Sequence, residues 1–154
     1  MWLRDALDRN AALLYMAVQI AGGCLGAIAA HLMFGLDALQ ISQTARTGAG
    51  QWIGEFIATF GLIATILGCI KFAPGAVATA VGLYITSAYW FTSSTSFANP
   101  AVSIARSISD TFAGIAPQDV PIFILAELLG AFAASYFFAW LFTAEDAPPR
   151  KRKA

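Results

Sequence analysis

The chain has 154 residues, with nine Lys and Arg balanced by nine Asp and Glu, 12% charged and 58% hydrophobic, and a mean hydropathy of +0.68. That is too apolar for the mixed surface of a soluble domain and reads as an integral membrane protein. Zero net charge, with the one basic run Arg150-Lys151-Arg152-Lys153 at the very end, gives nucleic acid nothing to bind, so the partners expected are the lipid bilayer and small molecules.

A polar segment, 1–10, carries Arg4, Asp5, Asp8 and Arg9 and shows no small-residue cleavage pattern, so it reads as a cytoplasmic N-terminal segment in place of a cleavable signal. Four apolar stretches follow that approach the roughly 20 residues a span needs: 11–34, 52–70, 76–91 and 121–142. The third is the shortest. It runs into the polar string Thr92-Ser93-Ser94-Thr95-Ser96 and then Phe97-Ala98-Asn99-Pro100-Ala101-Val102. Asn99 is a good N-cap and Pro100 suits the first helical position, where a missing N–H costs nothing, so a helix is predicted to begin at Pro100. Running to about Thr111, it is too short to span and fits a half-helix, which is tolerated at membrane depth only where it lines a cavity or is buried in protein. The connectors 35–51 and 114–120 are polar and contain Gly or Pro, as water-facing loops do. The fold expected is therefore all-α: a membrane bundle of four transmembrane helices and one re-entrant half-helix over 11–142, with a basic cytoplasmic tail over 143–154.

Lys and Arg placement sets the orientation. With the N-terminus in the cytoplasm, Arg4, Arg9, Lys71 and the four basic residues of the tail lie inside, and only Arg46 and Arg106 lie outside. Both termini are thus expected to be cytoplasmic. Cys24 and Cys69 fall in apolar segments and read as reduced packing thiols. His31 is the only histidine and has no Cys or second His near it, so neither a metal site nor a catalytic arrangement is supported, and it reads as a chance residue near a helix end. Glycines 54, 61 and 68 recur at seven-residue spacing. Gln19 with Gly22 echoes Glu127 with Gly130, a sign of close helix packing and a weak one of an inverted repeat.

With these motifs in place, the chain resembles the second half of the aquaporin–aquaglyceroporin family. The resemblance rests on Phe97-Ala98-Asn99-Pro100-Ala101 entering a half-helix, on Glu55-Phe56-Ile57-Ala58-Thr59-Phe60 opening a span, and on Gln19-x-x-Gly22 and Glu127-x-x-Gly130. It implies six spans and two half-helices meeting tip to tip around a pore, of which this chain supplies spans three to six and the second half-helix. The first two spans and the first Asn-Pro-Ala are expected to be missing, and the family's tetramers imply an oligomer. Asn99, Pro100 and Ala101 are then the pore motif, and Glu55 holds the backbone of the motif loop. The backbone carbonyls of Ser94, Thr95, Ser96 and Phe97 accept hydrogen bonds from a passing solute, and the positive N-terminal end of the half-helix repels cations.

Where most of the family carries a filter arginine, this chain has Val102. The two other filter positions implied for this half are Ser87 and Ser96, so the opening is expected to be small-lined, uncharged and wider than in a strict water channel. Arg106, two turns beyond Asn99, is either a displaced outer-mouth charge or, in the preferred reading, the i,i+4 partner of Asp110. The expected function is a channel polypeptide for passive transport of water and small uncharged solutes, such as glycerol-like polyols, urea-like amides or neutral metalloid acids. It conducts only when a separate first-half chain completes the wall. The alternative is a non-conducting remnant, or a structural or regulatory partner of full-length relatives. No cofactor is expected. An intramembrane enzyme has no catalytic set here: one His, no Gly-x-Ser-x-Gly, and Glu55 and Glu127 as the only acids within spans.

Overall fold

A computed structural model describes residues 8–145. Most of the segment 1–10 and nearly all of the tail, including the run Arg150–Lys153, lie outside the described residues. Every regular element described is helical: α1 (Arg9–Met33), α2 (Ala49–Phe72), α3 (Val77–Phe91), α4 (Pro100–Arg106) and α5 (Val120–Glu145), with 3₁₀ turns at Pro74–Ala76 and Pro117–Asp119. The helix starts are capped as local chemistry dictates. The Asp8 carboxylate accepts from Asn10 N at 2.9 Å and Ala11 N at 3.4 Å, and Asn99 Oδ1 accepts from Ala101 N at 2.9 Å with Pro100 at the first helical position.

Three of the four expected spans, α1, α2 and the helix of residues 117–143, are long and apolar enough to cross a membrane. The third is not: α3 has 15 residues, about 22 Å at 1.5 Å per residue. Its ends are fixed by polar competition. The Thr92 hydroxyl donates to Ala88 O at 2.8 Å and the Ser93 hydroxyl reaches Gly50 O at 2.8 Å, drawing the chain out of the helix toward the motif loop. The half-helix is shorter than expected. It stops at Arg106, after seven residues, because Ser107 and Asp110 turn away to bond the connector between α1 and α2 and the Ser109 hydroxyl meets His31 of α1. Ser107 O accepts from Ser42 N at 3.0 Å and Asp110 Oδ1 accepts from Gln43 N at 2.8 Å.

Helix α2 packs along α5 and against α3, while α4 lies between α1 and α5. The α2–α5 crossing depends on Gly130, where an added Cβ would stand 2.5 Å from the carbonyl oxygen of Phe56. Phe60 then meets Phe137 and Phe138, each at 6.1 Å between ring centroids. At the α1–α4 contact it is Gly23, against Ala105, that allows the approach. Gly22 and Gly26 meet nothing within 4 Å. Of the seven-spaced glycines, Gly54 faces Ser93 and Ser94 and Gly61 faces Tyr84, but Gly68 faces open space. Large apolar side chains on the outside, among them Leu14, Leu25, Trp90 and Trp140, suit lipid. Cys24 and Cys69 are free thiols of intermediate burial.

The connector 35–51 is mostly exposed, as expected of a water-facing loop, with Ser42 and Arg46 buried in it, whereas in 114–120 Ile115 is fully buried and Gly114, Ala116 and Asp119 are buried with it. The two segments pack on each other, with Ala116 N donating to Thr44 O at 2.8 Å and the Thr44 hydroxyl to Thr111 O at 3.1 Å. Hydrogen bonding between the segments satisfies backbone groups that would otherwise need water. Beneath them the core gathers at the motif loop: Phe97, Ile115 and Phe123, flanked by Trp52, Val102, Val120 and Ile122.

Candidate functional site

Between α3 and α4 the backbone takes an unusual path. Thr95, Ser96 and Ala98 have φ of 71°, 54° and 51°, a left-handed conformation that costs a non-glycine residue roughly 1–2 kcal/mol. The surroundings hold it there by satisfying the amides it exposes. Glu55, fully buried on α2, accepts from Phe97 N through Oε1 and from Ala98 N through Oε2, both at 2.8 Å. Glu127 crosses from α5, and its Oε1 accepts from Asn99 N at 3.2 Å and from the Ser103 hydroxyl at 2.7 Å. Two buried carboxyl groups thus take three successive amides, which leaves none of these backbone donors without an acceptor.

The Asn99 amide is divided between two tasks. Its Oδ1 caps α4, while Nδ2, a donor only, has no protein acceptor among the described residues, and Asn99 lines a cavity. This cavity, about 860 Å³, lies between α1 and α4 and is walled also by Gln19, His31, Phe34, Val102 and Arg106. It is mostly apolar, with a few placed polar groups, as solute sites are.

Arg46 lies at the connector side of the motif loop. It is 7% exposed, and its guanidinium donates to Ser94 O, Gly114 O and Phe112 O while resting over the Phe97 ring. Desolvation lowers its pKa from the ordinary arginine value; the charge of Glu55 opposes that shift and that of Arg106 adds to it. His31 also has a place. Its Nδ1 is 3.1 Å from Ala38 O and its Nε2 3.0 Å from Ser109 Oγ, so the ring joins the end of α1 to the connector and to the segment after α4.

No protein-family model matches the chain, and neither does any solved structure. The chain is 53% identical over 139 residues to the aquaglyceroporin AqpS of Rhizobium meliloti (strain 1021), an alignment that takes in 90% of this chain and 60% of AqpS. The chain belongs to the aquaporin–aquaglyceroporin family. It matches the C-terminal portion of a member, spanning about three-fifths of the length of this relative. It is a helical integral membrane protein.

Set against that family's pattern, the expected site residues divide. Asn99, Ala101, Val102 and Arg106 share the cavity wall, and Glu55 lies behind the motif loop. Ser87 and Ser96 do not line that cavity. Ser87 is exposed on α3 with its hydroxyl donating to Tyr84 O at 2.7 Å, and Ser96 is 2% exposed with its hydroxyl unpartnered. The Ser94 carbonyl is occupied by Arg46 and by the Thr95 hydroxyl. Among the described residues no protein donor reaches the carbonyls of Thr95, Ser96 or Phe97. Arg106 does not pair with Asp110: α4 ends at Arg106, so the i,i+4 geometry is lost, and the Asp110 carboxylate turns to Gln43 N.

Reading the sequence singled out neither Arg46 nor the contacts of Glu127 and His31. For Glu127 a signal existed, since an acid deep in an apolar span needs partners. For Arg46 there was none, because its three acceptors lie 48, 66 and 68 residues away.

Proposed function

We propose that the chain is a channel polypeptide for the passive transport of water and small uncharged solutes: glycerol-like polyols, urea-like amides or neutral metalloid acids. The observation that carries this reading is the Asn99 amide. Its oxygen is tied up in capping α4, and its nitrogen is presented to an apolar-walled cavity behind a backbone fixed by Glu55 and Glu127. A neutral solute with a lone pair is served by such a donor, and a hydrated cation is not. Glu55 supports the loop, Val102 leaves its filter position uncharged, and Arg106 supplies an outer-mouth charge. The transmembrane domain is 11–142, with both termini in the cytoplasm. Val102 in place of arginine supports a wider opening than that of a strict water channel.

The cavity has walls from α1 and α4 and is open on its other side, which supports conduction in an assembly with a first-half chain. The open Gly22 and Gly26 on α1 favour a second reading, a non-conducting partner that packs on full-length relatives through this small-residue face.

Asn99→Asp separates the donor's role from that of the cap, because Asp retains the capping oxygen and loses the NH₂. In vesicles holding the chain with the part of AqpS it leaves uncovered, light scattering reads glycerol uptake. The expected result is a loss of about tenfold or more in N99D with the half-helix intact. Uptake equal to that of the native chain contradicts the role of Asn99.

A further inference from the structure

Three segments come together at the mouth of the cavity: the α1–α2 connector, the motif loop and the stretch 107–116 that follows α4. Side chains and backbone join the first and third, as when Gln43 N donates to Asp110 Oδ1 and Ala116 N to Thr44 O. Phe112 and Ala113 of the third segment line the cavity itself. Arg46 belongs to the first and reaches the other two, and its backbone reaches Asp119 beyond them. Its own N–H donates to Asp119 Oδ2 at 2.7 Å, its Nε to Gly114 O at 2.6 Å, its Nη2 to Phe112 O at 2.9 Å and its Nη1 to Ser94 O at 3.1 Å. The guanidinium carbon stands 5.1 Å from the centre of the Phe97 ring. A planar fork with five donors suits three carbonyls held in different directions, whereas a lysine offers one compact charge.

We propose that Arg46 is the positioning residue of the cavity mouth: its guanidinium fixes the carbonyls of Ser94, Phe112 and Gly114, and with them the rim past which a solute reaches Asn99. Only the clause about the solute rests on the channel reading above; the anchoring stands apart from it. Position 102, one turn into α4, carries a valine that packs into the core cluster of Phe97 and reaches no carbonyl. The anchoring is supplied instead from the connector, by a residue distant in sequence from the motif.

Hydrogen–deuterium exchange of the full chain in lipid nanodiscs tests this with R46K and R46Q. The amides of Gly114, Ile115 and Ala116, which donate to Thr111, Arg106 and Thr44, are expected to exchange about tenfold faster or more in both variants, while α2 and α5 amides keep native rates. Native rates in R46Q overturn the proposal. So does rescue by R46K, since charge alone would then hold the rim. Should R46Q lose protection in α2 and α5 as well, R46K alone decides: faster exchange at 114–116 with native α2 and α5 supports the proposal, and native rates at 114–116 overturn it. In vesicles that conduct, the ratio of glycerol to water permeability is expected to shift about threefold or more in R46K, and an unchanged ratio beside a loosened rim overturns the role in solute passage. Failure to conduct by vesicles that hold the native chain together with the part of AqpS it leaves uncovered sinks the channel reading of this chain, and the exchange rates still decide the anchoring.

Discussion

Each oxygen of Glu55 takes one amide hydrogen, from Phe97 and from Ala98, while Glu127 uses Oε1 twice and leaves Oε2 buried and unpartnered. The two acids should therefore respond differently to the same isosteric change. In Glu55→Gln one of the two amides must face an NH₂ group, and the expected loss of stability is about 2–3 kcal/mol. In Glu127→Gln the amide oxygen can stand where Oε1 stands and keep both bonds, so the loss should stay below about 1 kcal/mol. Thermal unfolding in detergent compares them, and equal losses contradict the division of roles. Asn99, Pro100 and Glu55 were legible in the sequence because their meaning is local: a cap, a first-turn proline, an acid in an apolar span. The donor to the Ser94 carbonyl, Arg46, was not legible, because it comes from a connector 48 residues away.

Helices α1, α2 and α5 were legible from apolar length, and their boundaries moved little. Helix α3 matches the stretch 76–91 to within one residue, whereas the half-helix is shorter than expected because Ser107 and Asp110 find partners in another segment, which composition does not display. The connector 35–51 is mostly exposed as its composition implies, but Arg46 within it and Gly114 and Ile115 of the second connector are buried, since Arg46 Nε donates to Gly114 O across the two segments. Glycine spacing was legible only as a tendency. Gly130 lies at a real crossing and Gly22 does not, so Gly130→Ala is expected to cost about 1–3 kcal/mol by forcing α2 and α5 apart. Gly22→Ala should be neutral or slightly stabilising, since alanine favours helix over glycine. Unfolding midpoints of the two variants check this, and a Gly22→Ala loss as large as that of Gly130→Ala contradicts the packing described.

On the scale of the whole molecule, the chain aligns with about three-fifths of an aquaglyceroporin and presents a cavity of about 860 Å³ walled by α1 and α4. Membership of the family was legible from one tripeptide in its context between spans. The central claim is that this chain supplies one side of a neutral-solute path. Light scattering of vesicles placed in a glycerol gradient tests it most directly, with the chain alone and with the chain plus the part of AqpS that it leaves uncovered. The prediction is uptake at the rate of empty vesicles for the chain alone and clearly faster uptake for the pair. Faster uptake by the chain alone, or none by a pair shown to associate, contradicts it.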